Sequence, residues 1–175
     1  MLEHFIAKKL TINGIVQGVG FRPFVYQLAN RYGVNGEVSN TPSGVLIYVE
    51  GMPKQIASFC TDVEKNHPPL AEIIDIQCTP KPVTGVKDFS ITHSKNQSPP
   101  ATLISPDVTV CEDCRQELFD PEDCRYHYPF INCTNCGPRY TIIKDIPYDR
   151  CSTTMKRFKL CEKCRNEYDN PSDRR

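Results

Sequence analysis

Two C-x-x-C pairs constrain this chain more than any other feature of its sequence. Cys111 and Cys114 are followed, after eighteen intervening residues, by Cys133 and Cys136. In this spacing each pair offers two thiolates to one tetrahedral zinc ion. Four free thiols that merely happen to pair are the weaker explanation, because C-x-x-C spacing brings sulfurs together without burying them. The sequence therefore predicts a structural zinc site made of these four cysteines.

The same motif begins a second time at an offset of 50 residues. C-E-D-C-R-Q-E-L-F-D-P-E-D from Cys111 matches C-E-K-C-R-N-E-Y-D-N-P-S-D from Cys161. At this offset the remaining ligands would fall at positions 183 and 186, past the last residue, Arg175. We therefore expect a second zinc unit that is incomplete, with Cys161 and Cys164 as its first two ligands and any second ion weakly held.

Three further residues near the pairs are not expected to bind metal. Cys124 aligns with Arg174 in the repeat, and Cys151 has no partner at the offset, so both are predicted to be small buried side chains. Four cysteines already satisfy one ion, so His127 is expected beside the site or at the surface.

The cysteines also divide the chain. Residues 1–94 hold two of the ten cysteines and are predicted to form one domain. Residues 95–107 are rich in Pro, Ser and other polar residues, which is typical of a linker, although Leu103 and Ile104 suit docking on a neighbouring unit. Residues 108–175 are predicted to form the cysteine-rich zinc module.

Hydrophobic periodicity in the first domain predicts alternating strands and helices. Helical patterns open at Pro23 and Pro53, each suited to the first turn of a helix. Strand patterns lie around them, at residues 5–16, 34–39, 45–50, 74–78 and 89–92. The order βαββαβ, with two helices covering one face of an antiparallel sheet, predicts a ferredoxin-like α+β fold.

The segment G-I-V-Q-G-V-G-F-R, residues 14–22, lies between the first strand and the first helix. Its glycines allow a tight turn with backbone N–H groups aimed at one point, the helix N-terminus adds partial positive charge, and Arg22 offers a planar fork of donors. These features predict a phosphate cradle, with a tight turn whose arginine makes a surface ion pair as the alternative. The predicted phosphate-binding residues are Gln17, Gly18, Val19, Gly20, Phe21 and Arg22.

Residues 14–22 resemble the acylphosphatase signature, and V-S-N-T-P-S-G-V, residues 38–45, resembles the second motif of that family. The resemblance covers residues 5 to 94. It implies that Arg22 binds the phosphate and that Asn40 orients the attacking water, whereas Asn40 without the resemblance is equally a turn residue before Pro42. An acyl phosphate is already activated, so charge neutralisation and positioning suffice and no nucleophile is needed.

An acylphosphatase-like domain followed by paired C-x2-C-x18-C-x2-C units resembles the start of the HypF family, the carbamoyltransferases of nickel–iron hydrogenase maturation. The resemblance implies a longer protein in which carbamoyl phosphate is cleaved in the first domain. Later domains would activate carbamate with ATP and deliver it to the C-terminal cysteine of HypE, as the precursor of hydrogenase cyanide ligands.

Charge and hydropathy limit the partners and the location. Lys and Arg total 21 and Asp and Glu total 21, so no general attraction to nucleic acid or to anionic membrane is expected. The N-terminus has no secretory pattern and no apolar run is long enough for a membrane span, which favours a cytoplasmic protein. Two rival functions stay open, a stand-alone acylphosphatase with a structural zinc appendage and a zinc-ribbon module that binds another protein. Phosphate release from carbamoyl phosphate against acetyl phosphate distinguishes them.

Overall fold

Residues 4–93 form a sheet of five strands with two helices. The computed structural model describes residues 4–93 and 103–175. In chain order the elements of this part are β1 (Ile6–Ile15), α1 (Phe21–Tyr32), β2 (Asn35–Thr41), β3 (Gly44–Gly51), α2 (Pro53–Lys65), β4 (Glu72–Lys81) and β5 (Phe89–Ile91). The predicted βαββαβ order holds from β1 to β4, with β5 as an additional short strand after it, and the ferredoxin-like α+β class is confirmed.

The strands lie in the order β4-β1-β3-β2-β5. β1 pairs with β3 and β4, and β2 pairs with β3, all antiparallel, but β5 runs parallel to β2. The prediction of a wholly antiparallel sheet is therefore wrong at this edge. The chain after β4 crosses the end of the sheet, where the Thr84 amide donates to Glu50 Oε2 at 2.9 Å, and it then enters β5 from the end at which β2 begins.

Both helices pack on one face of the sheet and bury its alternate side chains. Leu10 and Ile12 of β1 and Val45, Ile47 and Val49 of β3 are buried, as the alternation predicts. Each fully buried side chain of this kind contributes about 1.5–3 kcal/mol to folding. The facing helix residues belong to the same core and are Val25, Leu28, Ile56, Phe59 and Val63.

Helix α1 begins at Phe21, two residues before the predicted start at Pro23. Gly20 has a φ of 77°, which favours glycine, and its carbonyl accepts from the Phe24 amide at 3.0 Å. Pro23 is thus the third helical residue, where a backbone N–H has no partner within the helix. The arginine of the candidate site consequently lies in the first turn of α1.

The cysteine-rich part has little regular structure. Its two short helices are α3 (Glu112–Phe119) and α4 (Glu162–Asp169), with three single 3₁₀ turns between them. Cys111 and Cys161 precede these helices with nearly the same backbone angles, φ −69° and ψ 165° against φ −66° and ψ 168°. The sequence repeat is therefore a structural repeat.

Residues up to 102 of the predicted linker lie outside the described residues. Leu103 and Ile104 line a small apolar cavity together with Pro138, Ile143 and Ile146. Ile104 is half-buried there but Leu103 is exposed, so docking of this segment on a neighbouring unit stays a prediction. Within residues 4–93 and 103–175, no helix combines the length and apolar character that a membrane crossing requires.

Candidate functional site

The four cysteines of the two complete pairs converge on one point. All four sulfur atoms lie within 4.8 Å of one another, with Cys111 Sγ 3.6 Å from Cys133 Sγ and Cys114 Sγ 3.9 Å from Cys136 Sγ. Four thiolates about 2.3 Å from a tetrahedral zinc ion would be roughly 3.8 Å apart, so the cluster fits this metal. The sulfurs are too far apart for a disulfide. The prediction of a structural zinc site is confirmed.

Two arginines donate to the sulfurs of this cluster. Arg139 Nη2 lies 3.5 Å from Cys136 Sγ, and Arg174 Nη1 lies 3.4 Å from Cys114 Sγ. A hydrogen bond from the Cys133 side chain, together with that from Arg139, lowers the pKa of Cys136 to about 4. Four thiolates on one zinc ion carry a net negative charge, which these guanidinium groups offset.

The second cysteine pair has no such cluster. Cys161 is exposed and Cys164 is half-buried, and among residues 4–93 and 103–175 only the first four cysteines form a group of three or more metal-ligand side chains. Two thiolates alone leave a zinc ion without half of its usual ligands.

The two repeats hold each other through reciprocal ion pairs. Arg125 of the first repeat pairs with Glu167 of α4, and Arg175 of the second repeat pairs with Glu117 of α3. Each arginine and each glutamate lies 50 residues from its counterpart, so the two contacts are equivalent. Arg125 Nη2 also lies 3.9 Å from Cys164 Sγ, much as Arg174 approaches the first site.

The predicted burial of Cys124 and Cys151 is wrong. Both side chains are exposed. Neither residue lies on a regular element that packs against a core, since Cys124 is in a turn and Cys151 in a single 3₁₀ turn. His127 is exposed and stacks on Tyr126, with 3.9 Å between ring centroids, in agreement with its assignment to the surface.

The predicted phosphate loop joins β1 to α1 and is fixed by Gln17. This side chain is only 4 % exposed. Its Nε2 donates to the carbonyls of Thr41 and Gly44, both at 2.8 Å, and its Oε1 accepts from the Tyr148 amide at 2.8 Å. Gln17 therefore ties the loop to the β2–β3 hairpin on one side and to the zinc module on the other.

Asn40, on β2, is fully buried, with 0 % exposure. Its Nδ2 donates to the Tyr148 carbonyl at 3.2 Å, whereas its Oδ1 has no hydrogen-bond donor among the described residues. A buried acceptor of this kind requires a donor, such as a bound water or a ligand. Asn40 is thus a strand residue beside the loop and not only a turn residue before Pro42.

Arg22 directs its guanidinium to the same place. Its Nη2 donates to the Tyr148 carbonyl at 3.4 Å and to Asp149 Oδ1 at 2.7 Å. Arg22 and Asn40 therefore share one acceptor atom, so their donor groups meet at one point. The ion pair expected under the alternative to a phosphate cradle is present as well, and it is only partly exposed.

Several residues of the zinc module that line this site carry no signal in the sequence. A Cβ atom added to Gly18 would lie 2.9 Å from Pro138 Cγ, and one added to Gly20 would lie 3.2 Å from Thr134 Cβ. Both glycines have φ above +70°, a backbone conformation that favours glycine. Their lack of a side chain also leaves room for the zinc module to approach the loop. Burial raises the pKa of Tyr148, which follows the buried Pro147.

Comparison with known proteins finds one family model in each of two parts of the chain. The acylphosphatase family model matches residues 8–91, and the HypF finger model matches residues 110–143. An acylphosphatase of Thermotoga petrophila is 38 % identical over 88 residues, which are 50 % of this chain and 97 % of that protein. The fold and the two sites define an acylphosphatase domain joined to a zinc finger.

Both parts together match one group of longer proteins. The carbamoyltransferase HypF of Synechocystis sp. is 48 % identical over 150 residues, 86 % of this chain and 19 % of that protein. A crystal structure of full-length HypF in its phosphate- and nucleotide-bound form superposes with a TM-score of 0.93 at 51 % identity, covering 100 % of this chain and 23 % of that one. The chain belongs to the acylphosphatase family, and over both of its parts it is similar to HypF proteins. It spans about a fifth of the length of these HypF relatives.

Proposed function

We propose that residues 14–22 and Asn40 form a site that hydrolyses carbamoyl phosphate. The observation that carries this proposal is the convergence of Arg22 and Asn40 on one oxygen atom, the Tyr148 carbonyl, at 3.4 and 3.2 Å. Two donors that meet at a partly buried oxygen atom are suited to bind a substrate oxygen in the same region. The similarity to acylphosphatases supports the reaction type, and the similarity to HypF proteins supports the carbamoyl group.

In this mechanism the loop and Arg22 bind the phosphate group. The first amides of α1 have no carbonyl partner within the helix, and together with the amides of Gln17, Gly18, Val19, Gly20 and Phe21 they face an anion with partial positive charge. Arg22 adds a full charge in planar geometry. These donors strengthen their hold as negative charge develops in the transition state.

Asn40 would position the attacking water. Its Oδ1 is buried and has no donor among the described residues, so a water that donates to it is held in a fixed orientation. The water oxygen bonds to phosphorus while the P–O bond to the carbamoyl group breaks. Phosphate and carbamate are released, and the anionic carbamate leaves without a general acid.

We further propose that this chain serves a cytoplasmic carbamoyltransferase. Residues 1–94 would act as the acylphosphatase domain, 95–107 as a linker and 108–175 as the zinc module, with zinc purely structural. Carbamate would then be activated with ATP elsewhere in a longer protein and delivered to a HypE-like acceptor for hydrogenase cyanide ligands. Cys161 and Cys164 would bind a second ion firmly only with further ligands.

Phosphate release from carbamoyl phosphate and from acetyl phosphate tests the activity. Arg22→Ala and Asn40→Ala are expected to lower kcat/KM for carbamoyl phosphate by about 10²–10³, the loss typical of one preorganised donor. Arg31→Ala is the matched control, because Arg31 is an exposed arginine in the last turn of the same helix. Activity of Arg22→Ala within a few-fold of the wild type would refute the site, provided that circular dichroism shows both variants folded.

A further inference from the structure

The zinc module provides a carboxylate to the proposed phosphate-binding arginine. Asp149 Oδ1 accepts from Arg22 Nη2 at 2.7 Å, and the two side chains are 22 % and 23 % exposed. The Tyr148 carbonyl accepts from the same nitrogen at 3.4 Å. The nitrogen that would bind a phosphate oxygen therefore already holds two oxygen atoms of the chain itself.

The backbone that presents Asp149 is anchored on both sides of the site. The Tyr148 amide donates to Gln17 Oε1 at 2.8 Å, and the Tyr148 carbonyl accepts from Asn40 Nδ2 at 3.2 Å. Ile146 and Tyr148 also line the apolar cavity beside Gln17, and Pro147 is buried. Asp149 is thus held against Arg22 by two site residues, Gln17 and Asn40, and not by its own side chain alone.

A carboxylate and a phosphate group compete for such an arginine. Both present anionic oxygen atoms to the same planar donors, and both prefer short, charge-assisted hydrogen bonds. A phosphate dianion at Arg22 would face the negative charge of Asp149 across a partly buried site, where repulsion is screened less than in water. The two anions therefore exclude each other.

We propose that Asp149 is a residue of the acyl phosphate site that competes with the phosphate group for Arg22 and so sets the affinity of the site. This inference rests on the proposed function. Phosphate binds when Asp149 leaves Arg22, and the return of Asp149 expels the phosphate product. Competition of this kind weakens the binding of substrate and product alike, so it raises KM and leaves the chemical step unchanged.

Asp149→Asn tests the proposal because it keeps the shape of the side chain and removes its charge. We expect the KM for carbamoyl phosphate and the inhibition constant of inorganic phosphate each to fall about tenfold, or about 1.4 kcal/mol, with kcat within twofold of the wild type. Asp169→Asn is the matched control. Asp169 is an exposed aspartate at the end of α4, and its removal takes the same charge from the same module without changing either constant.

Two results would overturn the proposal. A rise in KM for Asp149→Asn would mean that Asp149 holds Arg22 in its productive position, and equal constants would mean that phosphate and carboxylate bind without competing. Asp149→Ala replaces the asparagine variant if circular dichroism shows that the latter is unfolded. A wild-type protein that releases no phosphate refutes the proposed function instead, and titration of inorganic phosphate followed by phosphorus NMR then still decides whether Asp149 competes.

Discussion

Replacing Gln17 with leucine should weaken the attachment between the loop, the β2–β3 hairpin and the zinc module, which all meet at this side chain. Leucine has nearly the volume of glutamine but no polar atoms, so packing is kept while three hydrogen bonds are lost. The carbonyls of Thr41 and Gly44 lose a donor at 2.8 Å each, and the Tyr148 amide loses an acceptor at 2.8 Å. The change therefore acts on the hairpin and on the zinc module together.

The expected loss of stability follows from these three contacts. Each hydrogen bond contributes about 0.5–1.5 kcal/mol net, and a buried group left without a partner costs about 1–3 kcal/mol. The bond to Gly44 is buried, whereas those to Thr41 and Tyr148 are partly buried, so water relieves part of the cost. We expect the free energy of unfolding to fall by about 2–4 kcal/mol.

Equilibrium denaturation in urea measures the change, with Gln27→Leu as the control. Gln27 is exposed on α1, and its replacement removes the same polar groups from the surface. That control should stay within about 0.5 kcal/mol of the wild type. A Gln17→Leu variant as stable as the Gln27→Leu variant would refute the role of Gln17 as a tie between loop, hairpin and module.

Three further predictions concern Arg22, the zinc site and Gly18. Arg22→Lys should restore little of the activity lost in Arg22→Ala, because lysine lacks the planar fork, and near-wild-type phosphate release would show that a point charge suffices. Metal analysis should find one tightly bound zinc per chain, lost in a Cys133→Ser, Cys136→Ser double variant, and zinc retention there would contradict the tetracysteine site. Gly18→Ala should destabilise the fold by about 1–3 kcal/mol through strain and overpacking against Pro138, and Pro138→Ala should recover the packing part in a double-mutant cycle. If the losses of stability in the two single variants simply add in the double variant, the clash does not involve Pro138.

Most of the fold could be predicted from local hydrophobic patterns in the sequence. Alternation along β1 and β3 and the helical spacing of Val25 and Leu28 mark buried faces, because the period of burial is a property of each element alone. The direction of β5 was missed, since it depends on how the chain crosses the sheet and not on periodicity. The start of α1 was missed for a similar reason, because Gly20 ends the loop through its backbone conformation.

The candidate sites also contain residues that the sequence predicts and residues that it does not. Cys111, Cys114, Cys133 and Cys136 could be predicted as one cluster, because metal ligands impose their spacing on the sequence. Asp149 could not, since it meets Arg22 across 127 positions of the chain and an isolated aspartate has no pattern. Contacts between two units produce no periodic pattern in the sequence. The contribution of the zinc module to the phosphate site can therefore be seen only in the three-dimensional structure.

The reciprocal pairs Arg125–Glu167 and Arg175–Glu117 have the form of a symmetric dimer contained in one polypeptide. Each repeat presents the same arginine and the same glutamate to the other, as the subunits of a two-fold homodimer do. A polypeptide with a single repeat would carry both the arginine and the glutamate. It could form this reciprocal pair of contacts only with a second copy of itself. Tandem duplication thus makes the association independent of protein concentration, because the second copy is always supplied by the same chain.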